Sequence, residues 1–342
     1  MAEEKKPNKT WIWILAVVLV IGSGIGSYFL LNQEQQGKYT GPVEKITVAA
    51  FEGGASAPIY IAEGQGFFEN NGLDVTIKGY GSGKACADAL IAGEADISTS
   101  SDAVLVGNSF DNPDLEILGT VAIIKANGLI ARKDRGINSP KDLVGKKVGV
   151  TIKSTGEFNL EVMLLVNGLS TEDIDMVDLG AEEIVEKIVN GEIDAGFTWE
   201  PFLYNAKVQL GENGLIFKEP NSENFYFLLL TKDQWLKENP NTAKRFVKAL
   251  IEAEDYIKEN NEEAMEFIKD KFNYEQEFMD SILPEQEFTI VFPQVLLGIL
   301  EDQARWRIDN NLTEATKVPN YLNFIYLDAL EEVKPEAVTI IR

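Results

Sequence analysis

The chain has 342 residues, of which 45% are hydrophobic, and carries a formal net charge of −24. This length can bury a substantial core divided between more than one lobe, and the acidity argues against nucleic acid or an anionic membrane surface as a partner. The chain contains no histidine and a single cysteine, Cys86. It therefore lacks the residues for a Ser-His-Asp or Cys-His catalytic constellation and for a thiolate metal site, so we predict no catalytic residue, no metal and no cofactor.

The first 43 residues are predicted to attach the protein to a membrane. Residues 11–31 contain no charged side chain, and a helix over them would extend roughly 30 Å at about 1.5 Å per residue, enough to cross a bilayer. Three lysines precede this segment, so the positive-inside rule places residues 1–10 in the cytoplasm. Residues 32–43 are predicted to be a polar tether. A cleaved signal peptide is the competing interpretation, but residues 32–36 offer no small-x-small cleavage site.

The rest of the chain contains the same series of features twice, about one hundred residues apart. Each copy has a short apolar run, an amphipathic stretch closing on Asn-Gly-Leu, and a Gly-Glu-x-Asp signature that leads into another apolar run. The matching segments are 45–51 and 146–152, 71–73 and 167–169, and 93–96 and 191–194. Strands that alternate with helical segments indicate α/β units with parallel sheets. We therefore predict an α/β fold in which two similar lobes face each other across a cleft.

Two of the predicted loops that follow strands open a helix. Residues 79–84 are glycine-rich but fail as a P-loop, because Lys78 occupies the first glycine position and Ala85 the hydroxyl position. What remains is a turn that opens a helix at about Lys84, and the free N–H groups of a helix N-terminus favour an anion. Residues 153–156 repeat this arrangement, with Ser154 or Thr155 placed to cap the helix. Both helix N-termini are predicted to face the cleft.

Several motifs resemble those of the nitrate, sulfonate and taurine group of ABC-transporter solute-binding proteins. They lie at 45–51, 58–68, 72–75, 81–83, 92–97, 139–146, 154–156 and, as Trp-Glu-Pro-Phe, at 199–202. The resemblance covers about residues 44 to 260 closely and the helical remainder more loosely. It implies the type II periplasmic-binding-protein fold, with two α/β lobes joined by two crossing strands.

The resemblance also implies how the chain is divided. The crossing strands are expected near 128–131 and 227–230. Lobe one would then comprise 44–129 and 228–342, and lobe two would comprise 130–227. The C-terminal part of lobe one is predicted to be helical over 242–259, 262–272 and 295–310, and the spacing of Phe246, Leu250, Ala253 and Ile257 predicts one buried helical face.

The predicted ligand-binding residues lie beyond the carboxyl ends of the strands, where α/β proteins bind ligands. They are Phe51, Glu52, Ser82, Gly83, Ser100, Ser101, Asp102, Thr155, Gly156, Trp199, Glu200 and Tyr226. The hydroxyls and helix N-termini suit a sulfonate or another small oxyanion, whereas the three carboxylates make a bare anion costly. A zwitterion such as taurine reconciles the two. The alternative is a pyrimidine or thiamine-precursor-like solute that is hydrogen-bonded to a glutamate and stacked on an aromatic ring.

The resemblance implies an extracytoplasmic protein that captures a small solute by closing its lobes and delivers it to an ABC permease and its ATPase subunits. A membrane-held ligand sensor is the alternative. The yeast-type pyrimidine-synthesis enzymes share the fold but rely on histidine and a cysteine-rich motif, which this chain lacks, so no enzyme activity is expected. We predict a monomer held at the cell membrane by a single helix, with both lobes on the extracytoplasmic side.

Overall fold

The structure is a computed structural model of the chain, and it describes residues 39–124, 127–218, 225–282, 284 and 286–341. The predicted cytoplasmic tail and membrane helix, residues 1–31, lie outside this part of the chain. Within it, no helix has the length and apolar character needed to cross a membrane. Residues 1–42 and 43–342 form separate units, and the description below concerns the second.

Eleven strands are formed by the described residues. They are β1 (Glu44–Phe51), β2 (Leu73–Tyr80), β3 (Ile97–Ser101), β4 (Leu115–Ile124), β5 (Asn127–Arg132), β6 (Lys147–Val150), β7 (Asp175–Asp178), β8 (Ala195–Trp199), β9 (Gly214–Phe217), β10 (Phe225–Lys232) and β11 (Gln286–Glu287). Two sheets result, a first one in the order β11-β4-β10-β3-β1-β2 and a second one in the order β7-β6-β8-β5-β9.

The two sheets are built on one plan. In the first sheet β1 lies between parallel neighbours β2 and β3, and β10 runs antiparallel to β3 and β4. In the second sheet β6 lies between parallel neighbours β7 and β8, and β5 runs antiparallel to β8 and β9. The sheets are therefore mixed, whereas the sequence pattern predicted parallel ones. The reason is that the chain passes to the other sheet after β4 and again after β9, so β5 and β10 enter a sheet from the opposite direction.

The helices surround these sheets. They are α1 (Ala57–Gly64), α2 (Phe67–Asn70), α3 (Gly83–Ile91), α4 (Asp102–Ser109), α5 (Thr155–Val166), α6 (Ala181–Asn190), α7 (Phe202–Leu210), α8 (Asp233–Glu238), α9 (Pro240–Glu259), α10 (Asn261–Phe272), α11 (Gln276–Ile282), α12 (Val295–Asp309) and α13 (Asp328–Val333). Helix α5 packs on one face of the second sheet and helices α6 and α7 on the other. The remaining core belongs to the first sheet. We call the first sheet with its packed helices the first-sheet half, and the second sheet with its packed helices the second-sheet half.

The Gly-Glu-x-Asp signature has the same structural role in both copies of the repeat. The Asp96 carboxylate accepts a hydrogen bond from the backbone N–H of Thr47 at 2.8 Å, and that of Asp194 accepts one from Lys147 at 3.0 Å. Each aspartate thus ties the start of the strand that follows it to the central strand of its sheet, at the middle of β1 in the first copy and at the start of β6 in the second. Gly93 and Gly191 precede these aspartates with φ of +77° and +76°, a conformation that L residues with a Cβ rarely adopt. The motif recurs because both turns need it.

The C-terminal helices join the core of the first sheet. The predicted helices over 242–259, 262–272 and 295–310 are observed as α9, α10 and α12 with bounds that differ by two residues or fewer. All four positions predicted for the buried face of α9 are 5% exposed or less. Phe246 stacks on Phe68 with ring centroids 5.2 Å apart. The amphipathic pattern therefore located the helix face correctly.

A buried carboxylate ties this C-terminal part together. Glu254 of α9 has no exposed surface and accepts hydrogen bonds from the N–H of Ile290 at 2.8 Å and from the ammonium of Lys334 at 2.7 Å. Lys258 is a further partner. Burial by itself raises the pKa of Glu254, but the hydrogen bonds from Lys258 and Lys334 outweigh it and hold the pKa below its usual value. The charge is retained because each carboxylate oxygen has a donor.

Both predicted lobe boundaries fall inside a strand. The boundary at 129/130 divides β5, all of which belongs to the second sheet, and that at 227/228 divides β10, all of which belongs to the first. The predicted crossing strands near 128–131 and 227–230 are thus each part of one sheet. The chain changes sheets between β4 and β5 and again between β9 and β10. The apolar character of β5 and β10 reflects burial in a sheet, and each predicted crossing lies just after the point at which the chain changes sheets.

Candidate functional site: a cleft between the two sheets

A cleft of about 560 Å³, including open solvent at its mouth, lies between the two halves. The first-sheet half lines it with Phe51, Ala55, Ser82, Gly83, Lys84, Ser101, Val104, Ile124, Phe225, Phe227 and Gln286, and the second-sheet half with Ser154, Thr155, Trp199 and Glu200. Most of these side chains are apolar or hydroxylic. Small-molecule sites have the same character, a mainly apolar wall that carries a few polar groups that fix orientation.

Three helix N-termini reach the cleft, and a serine caps each of them. The Oγ of Ser82 accepts a hydrogen bond from Ala85 N–H at 3.1 Å, that of Ser101 from Val104 N–H at 3.4 Å, and that of Ser154 from Gly156 N–H at 3.0 Å. Ser101 is the last residue of β3, and Ser82 and Ser154 come shortly after β2 and β6, so each helix starts at the carboxyl end of a strand. The N-terminal dipole and the free N–H groups of such helices favour negative charge.

Two of the three N-termini carry a carboxylate of the chain itself. Asp102, in the first turn of α4, is fully buried and accepts hydrogen bonds from Ala103 N–H at 2.6 Å and Tyr226 N–H at 2.9 Å. Glu157, in the first turn of α5, accepts one from Lys153 N–H at 2.8 Å. The first turn of α3 has no acidic residue. The α3 N-terminus is therefore the one best suited to an anion from outside the chain.

Aromatic side chains form the wall beside α3. The rings of Phe51 and Phe227 meet edge to face with centroids 5.9 Å apart. Gly83, the first residue of α3, lies so close to the Phe227 ring that an added Cβ would be 3.1 Å from both this ring and the Ser100 Cα. A side chain at this position would therefore require the ring or the Ser100 backbone to shift. On the opposite side Trp199 packs at right angles to Phe202, with centroids 6.3 Å apart.

The described residues that line the cleft include one cation and one carboxylate. Lys84 is paired with Asp88 at 2.8 Å, and 36% of its side chain is exposed. Glu200 is 7% exposed and accepts a hydrogen bond from the N–H of Tyr204 at 2.9 Å. A third polar group, the Oε1 of Gln286, is buried and makes no hydrogen bond within the described part of the chain. The cleft can therefore contact an anionic group, a cationic group and a hydrogen-bond donor of a solute.

The structure brings together seven of the residues that the sequence nominated. Phe51, Ser82, Gly83, Ser101, Thr155, Trp199 and Glu200 line the cleft. The other five support it or point elsewhere. Glu52 is exposed and lies over Gly79, while Ser100 donates to the carbonyl of Gly83 at 2.8 Å. The Asp102 carboxylate accepts a hydrogen bond from the backbone N–H of Tyr226, and the Ser154 Oγ accepts one from the backbone N–H of Gly156.

Of the remaining lining residues, Lys84 and Ser154 lie at the two helix N-termini that the sequence predicted to face the cleft. Sequence reasoning missed Val104, Ile124, Phe225, Phe227 and Gln286. The last three come from β10 and β11, which lie far along the chain from the repeats. Nothing in the local pattern of 225–227 or of 286 distinguishes them from ordinary strand residues.

The described residues contain no cluster of three or more histidine, cysteine, aspartate or glutamate side chains arranged to hold a metal ion. Cys86 is fully buried in α3, and its pKa is raised because burial disfavours the thiolate. Its thiol therefore packs as a small apolar group in the helix that borders the cleft.

The fold and the cleft define a two-lobed α/β protein of the periplasmic-binding-protein class. Two solved structures support this. The periplasmic aliphatic sulphonate binding protein SsuA from Escherichia coli matches with a TM-score of 0.69 and 18% identity over 84% of this chain and 98% of that one. The periplasmic nitrate-binding protein NrtA from Synechocystis PCC 6803 matches with a TM-score of 0.68 and 16% identity over 86% and 89%. At this identity the match establishes the fold alone.

The chain belongs to the NMT1/THI5-like family, whose profile matches residues 54–264. Among curated relatives, a putative aliphatic sulfonates-binding protein of Bacillus subtilis is 27% identical over 197 residues, 56% of this chain and 59% of that protein. The taurine-binding periplasmic protein of Escherichia coli is 23% identical over 206 residues, 58% and 62%. A 4-amino-5-hydroxymethyl-2-methylpyrimidine phosphate synthase of Schizosaccharomyces pombe is 27% identical over 139 residues, 41% and 40%. The chain spans about three fifths of the length of the first of these relatives.

Proposed function

We propose that this protein is the extracytoplasmic solute-binding component of an ABC importer. In this role it captures a sulfonate, taurine-like or related small oxyanion by closing its two lobes, and it delivers the solute to a membrane permease. One observation carries the proposal: three serine-capped helix N-termini, two from the first-sheet half and one from the second, converge on one cleft with an aromatic wall. The names of two relatives, which refer to sulfonates and taurine, support the same ligand class.

The arrangement of groups suggests how such a solute lies. Its oxyanion meets the first turn of α3, where Ser82 and Lys84 stand without a competing acidic residue. The apolar part of the solute packs against Phe51 and Phe227, whose rings bury apolar surface and need no hydrogen-bond partner. An ammonium group, if the solute has one, lies toward Glu200. A taurine-like zwitterion uses all three of these parts, whereas a bare oxyanion leaves the aromatic wall unused.

A pyrimidine or thiamine-precursor-like solute is the second candidate. The buried carboxylate of Glu200 beside the ring of Trp199 favours it, because an aminopyrimidine can be hydrogen-bonded and stacked at once. The relationship to a protein named as a pyrimidine phosphate synthase supports the same idea. Both candidates use the same cleft, so ligand screening separates them directly.

Thermal-shift screening of the full chain against alkanesulfonates, taurine, nitrate and aminopyrimidines tests the ligand class. A true solute at a hundred times its Kd stabilises the folded state by about 2.7 kcal/mol. We expect sulfonates or taurine to raise the melting temperature and nitrate to have less effect. Stabilisation by aminopyrimidines alone would contradict the first candidate and support the second.

We further propose that the protein binds its solute without converting it and that residues 1–31 hold it at the membrane as an uncleaved anchor, with the lobes outside. The first point is tested by mass spectrometry of the solute recovered after long incubation, where a chemically altered product would contradict it. The second is tested by N-terminal sequencing of the native protein, where a start after residue 31 would reveal cleavage. Copurification of a permease and an ATPase supports import over membrane-held sensing.

A further inference from the structure

Outside the cleft, helix α12 of the first-sheet half contacts helix α5 of the second-sheet half directly. The rings of Phe158 and Trp306 meet edge to face with centroids 5.0 Å apart, and the indole N–H of Trp306 donates to the carboxylate of Glu161 at 3.0 Å. Helix α12 otherwise buries its apolar residues in the core of the first sheet, and α5 buries its own in the core of the second. The contact therefore joins the two halves.

A buried ion pair lies beside this contact. The side chains of Arg307 on α12 and Glu157 on α5 are 2% and 3% exposed, and Arg307 Nη2 lies 3.6 Å from Glu157 Oε2. Charge-assisted N–H···O bonds are about 2.7 to 2.9 Å long, so this pair is close but not yet hydrogen-bonded. Nη2 has no hydrogen-bond partner within the described residues. A buried cation with an unsatisfied donor favours any motion that brings its carboxylate closer.

The same carboxylate holds the turn that leads into the cleft. Glu157 Oε2 accepts the backbone N–H of Lys153 at 2.8 Å. Lys153 has a φ of +60°, a left-handed conformation that is unfavourable for a residue with a side chain. The next two residues, Ser154 and Thr155, line the cleft. The strained turn thus donates a hydrogen bond to the Glu157 carboxylate, which is also ion-paired with Arg307 of the opposite half.

We propose that Arg307 is a positioning residue of the solute site, acting from the first-sheet half through Glu157 on the turn that presents Ser154 and Thr155. When the lobes approach, Arg307 completes its hydrogen bond to Glu157, and the turn at Lys153 is held in its cleft-lining conformation. When the lobes separate, Glu157 loses its cation and the turn loosens. The effect of this arrangement on affinity rests on the proposed solute-binding function, whereas its effect on the turn does not.

The surroundings of the pair are consistent with this role. Glu161, Asp178, Lys153 and Tyr321 are the other titratable groups that act on Glu157 or Arg307. Burial raises the pKa of Glu157 and lowers that of Arg307, so each charge depends on the other. Gly107 of α4 packs on the guanidinium, and a Cβ built there would be 3.2 Å from Nη2.

Amide hydrogen exchange of the full chain, read at Lys153, tests the proposal without any ligand. Arg307→Gln is expected to speed exchange of the Lys153 amide at least tenfold, and Glu157→Gln to do the same. The double variant should exchange no faster than Glu157→Gln alone, because Arg307 acts through that carboxylate. Arg305→Gln is the matched control, since Arg305 lies on the same helix but pairs only with Glu301 and Asp302 in the described structure.

Faster exchange confined to α12 and the region of Tyr321, with Lys153 unchanged in Arg307→Gln, would overturn the proposal. Arg307→Lys, which keeps the charge, should restore slow exchange in part. If Arg307→Gln does not fold, Gly107→Ala displaces the guanidinium more mildly and should speed exchange at Lys153 about threefold. An unchanged rate in that variant would equally count against the relay.

Affinity supplies the second readout. With 1-hexanesulfonate as the probe, Arg307→Gln is expected to raise the Kd about tenfold, mainly through faster dissociation, while Arg305→Gln leaves it unchanged. Equal Kd values for Arg307→Gln and wild type would contradict the coupling to the site. If the wild-type protein binds neither this probe nor taurine, the proposed function fails, and the exchange rate at Lys153 still decides whether Arg307 positions the turn.

Discussion

Among the described residues that line the cleft, Lys84 and Glu200 carry the charges, and they favour solute groups of opposite charge. Lys84 belongs to the N-terminus of α3, where backbone N–H groups and the ammonium act in the same direction. Glu200 lies on the other half, 7% exposed, beside Trp199. Because the two residues favour opposite charges, the effect on affinity of neutralising each one separately shows which end of the solute it contacts.

Neutralising these residues one at a time gives the sharpest test of the ligand class. Lys84→Gln should weaken binding of a sulfonate by about 1 kcal/mol, a modest value because Lys84 is partly exposed and paired with Asp88. Glu200→Gln should weaken binding of an ammonium-bearing solute by roughly 1.5 to 3 kcal/mol. Isothermal titration measures both. The matched control is Lys45→Gln, which removes an exposed charge from β1.

If the solute is a simple anion, Glu200→Gln should leave its affinity unchanged or improve it. Weaker binding of a simple alkanesulfonate by Glu200→Gln would therefore be inconsistent with an anion-only site. Unchanged sulfonate affinity in Lys84→Gln would mean that the oxyanion does not lie at α3.

Glu116 on β4 provides a pH dependence that is independent of the cleft. Burial and the nearby Asp233 raise its pKa from 4.5 to about 7, with Lys237 acting in the opposite direction. Because the folded-state pKa is raised, the stabilisation from the protonated form is complete below about pH 4.5 and is lost as the pH rises to about 7. Glu116→Gln should therefore increase the free energy of unfolding at pH 8 by roughly 1 to 2 kcal/mol, allowing for solvent screening.

Urea denaturation at two pH values measures this effect. At pH 4 the variant and the wild-type protein should unfold at nearly the same urea concentration, because the wild-type carboxyl is then protonated. The exposed Glu172→Gln variant is the control and should change neither curve. A variant that is less stable than wild type at pH 8 would contradict the assignment of a raised pKa.

At the scale of elements, the repeat is maintained by hydrogen bonds that are nearly the same in both sheets. Besides the paired aspartates, Asn71 and Asn167 each donate from Nδ2 to a carbonyl four residues earlier, Phe67 at 2.9 Å and Met163 at 2.8 Å. Each asparagine precedes a glycine with positive φ. These hydrogen bonds terminate a helix shortly before a strand begins. Because they depend only on neighbouring residues, the motifs recur although the two sheets differ in strand number.

Removing either aspartate of the Gly-Glu-x-Asp signature should destabilise the fold to a similar degree. Asp96→Ala and Asp194→Ala each leave one backbone N–H of a central strand without its acceptor, which costs roughly 1 to 2 kcal/mol. Chemical denaturation measures the loss. Glu94→Ala and Glu192→Ala, exposed positions of the same motifs, are the controls and should stay within about 0.5 kcal/mol of wild type. If Asp194→Ala left the free energy of unfolding unchanged, the two copies of the motif would not be equivalent.

At the scale of the whole molecule, the chain passes between the sheets twice, after β4 and after β9, and the cleft lies between the halves that these passages connect. Under the proposed function, a solute contacted by residues of both halves binds the closed form better than the open form, and this difference in affinity shifts the equilibrium.

Solute binding is therefore expected to reduce the radius of gyration. Small-angle scattering of the protein with and without a saturating sulfonate or taurine measures this change. Trp306→Ala, which removes the contact between α12 and α5, should enlarge the ligand-free form, whereas Trp235→Ala on α8 should not change the relation between the halves. Superimposable curves with and without a bound solute would rule out closure as the mechanism.

Much of the fold follows from the sequence because local forces specify it. The repeat, the helix starts near Lys84 and after Lys153, and the buried face of α9 depend on neighbours within a few residues or on a helical period. Three of the helices after β10 were located for the same reason. The lobe boundaries were taken from the family resemblance and stay a prediction, because composition does not tell which sheet an apolar strand such as β5 or β10 joins.

The sequence by itself determined that this chain contains two related α/β units and that helix N-termini follow their strands, since near-neighbour hydrogen bonds and side-chain periodicity fix both. Only the tertiary structure decided which side chains meet in the cleft. Gly83 touches Phe227, and Arg307 faces Glu157, across about 150 residues of chain in each case. Such pairs form because sheet order and lobe packing bring distant segments together, and no local pattern encodes that proximity.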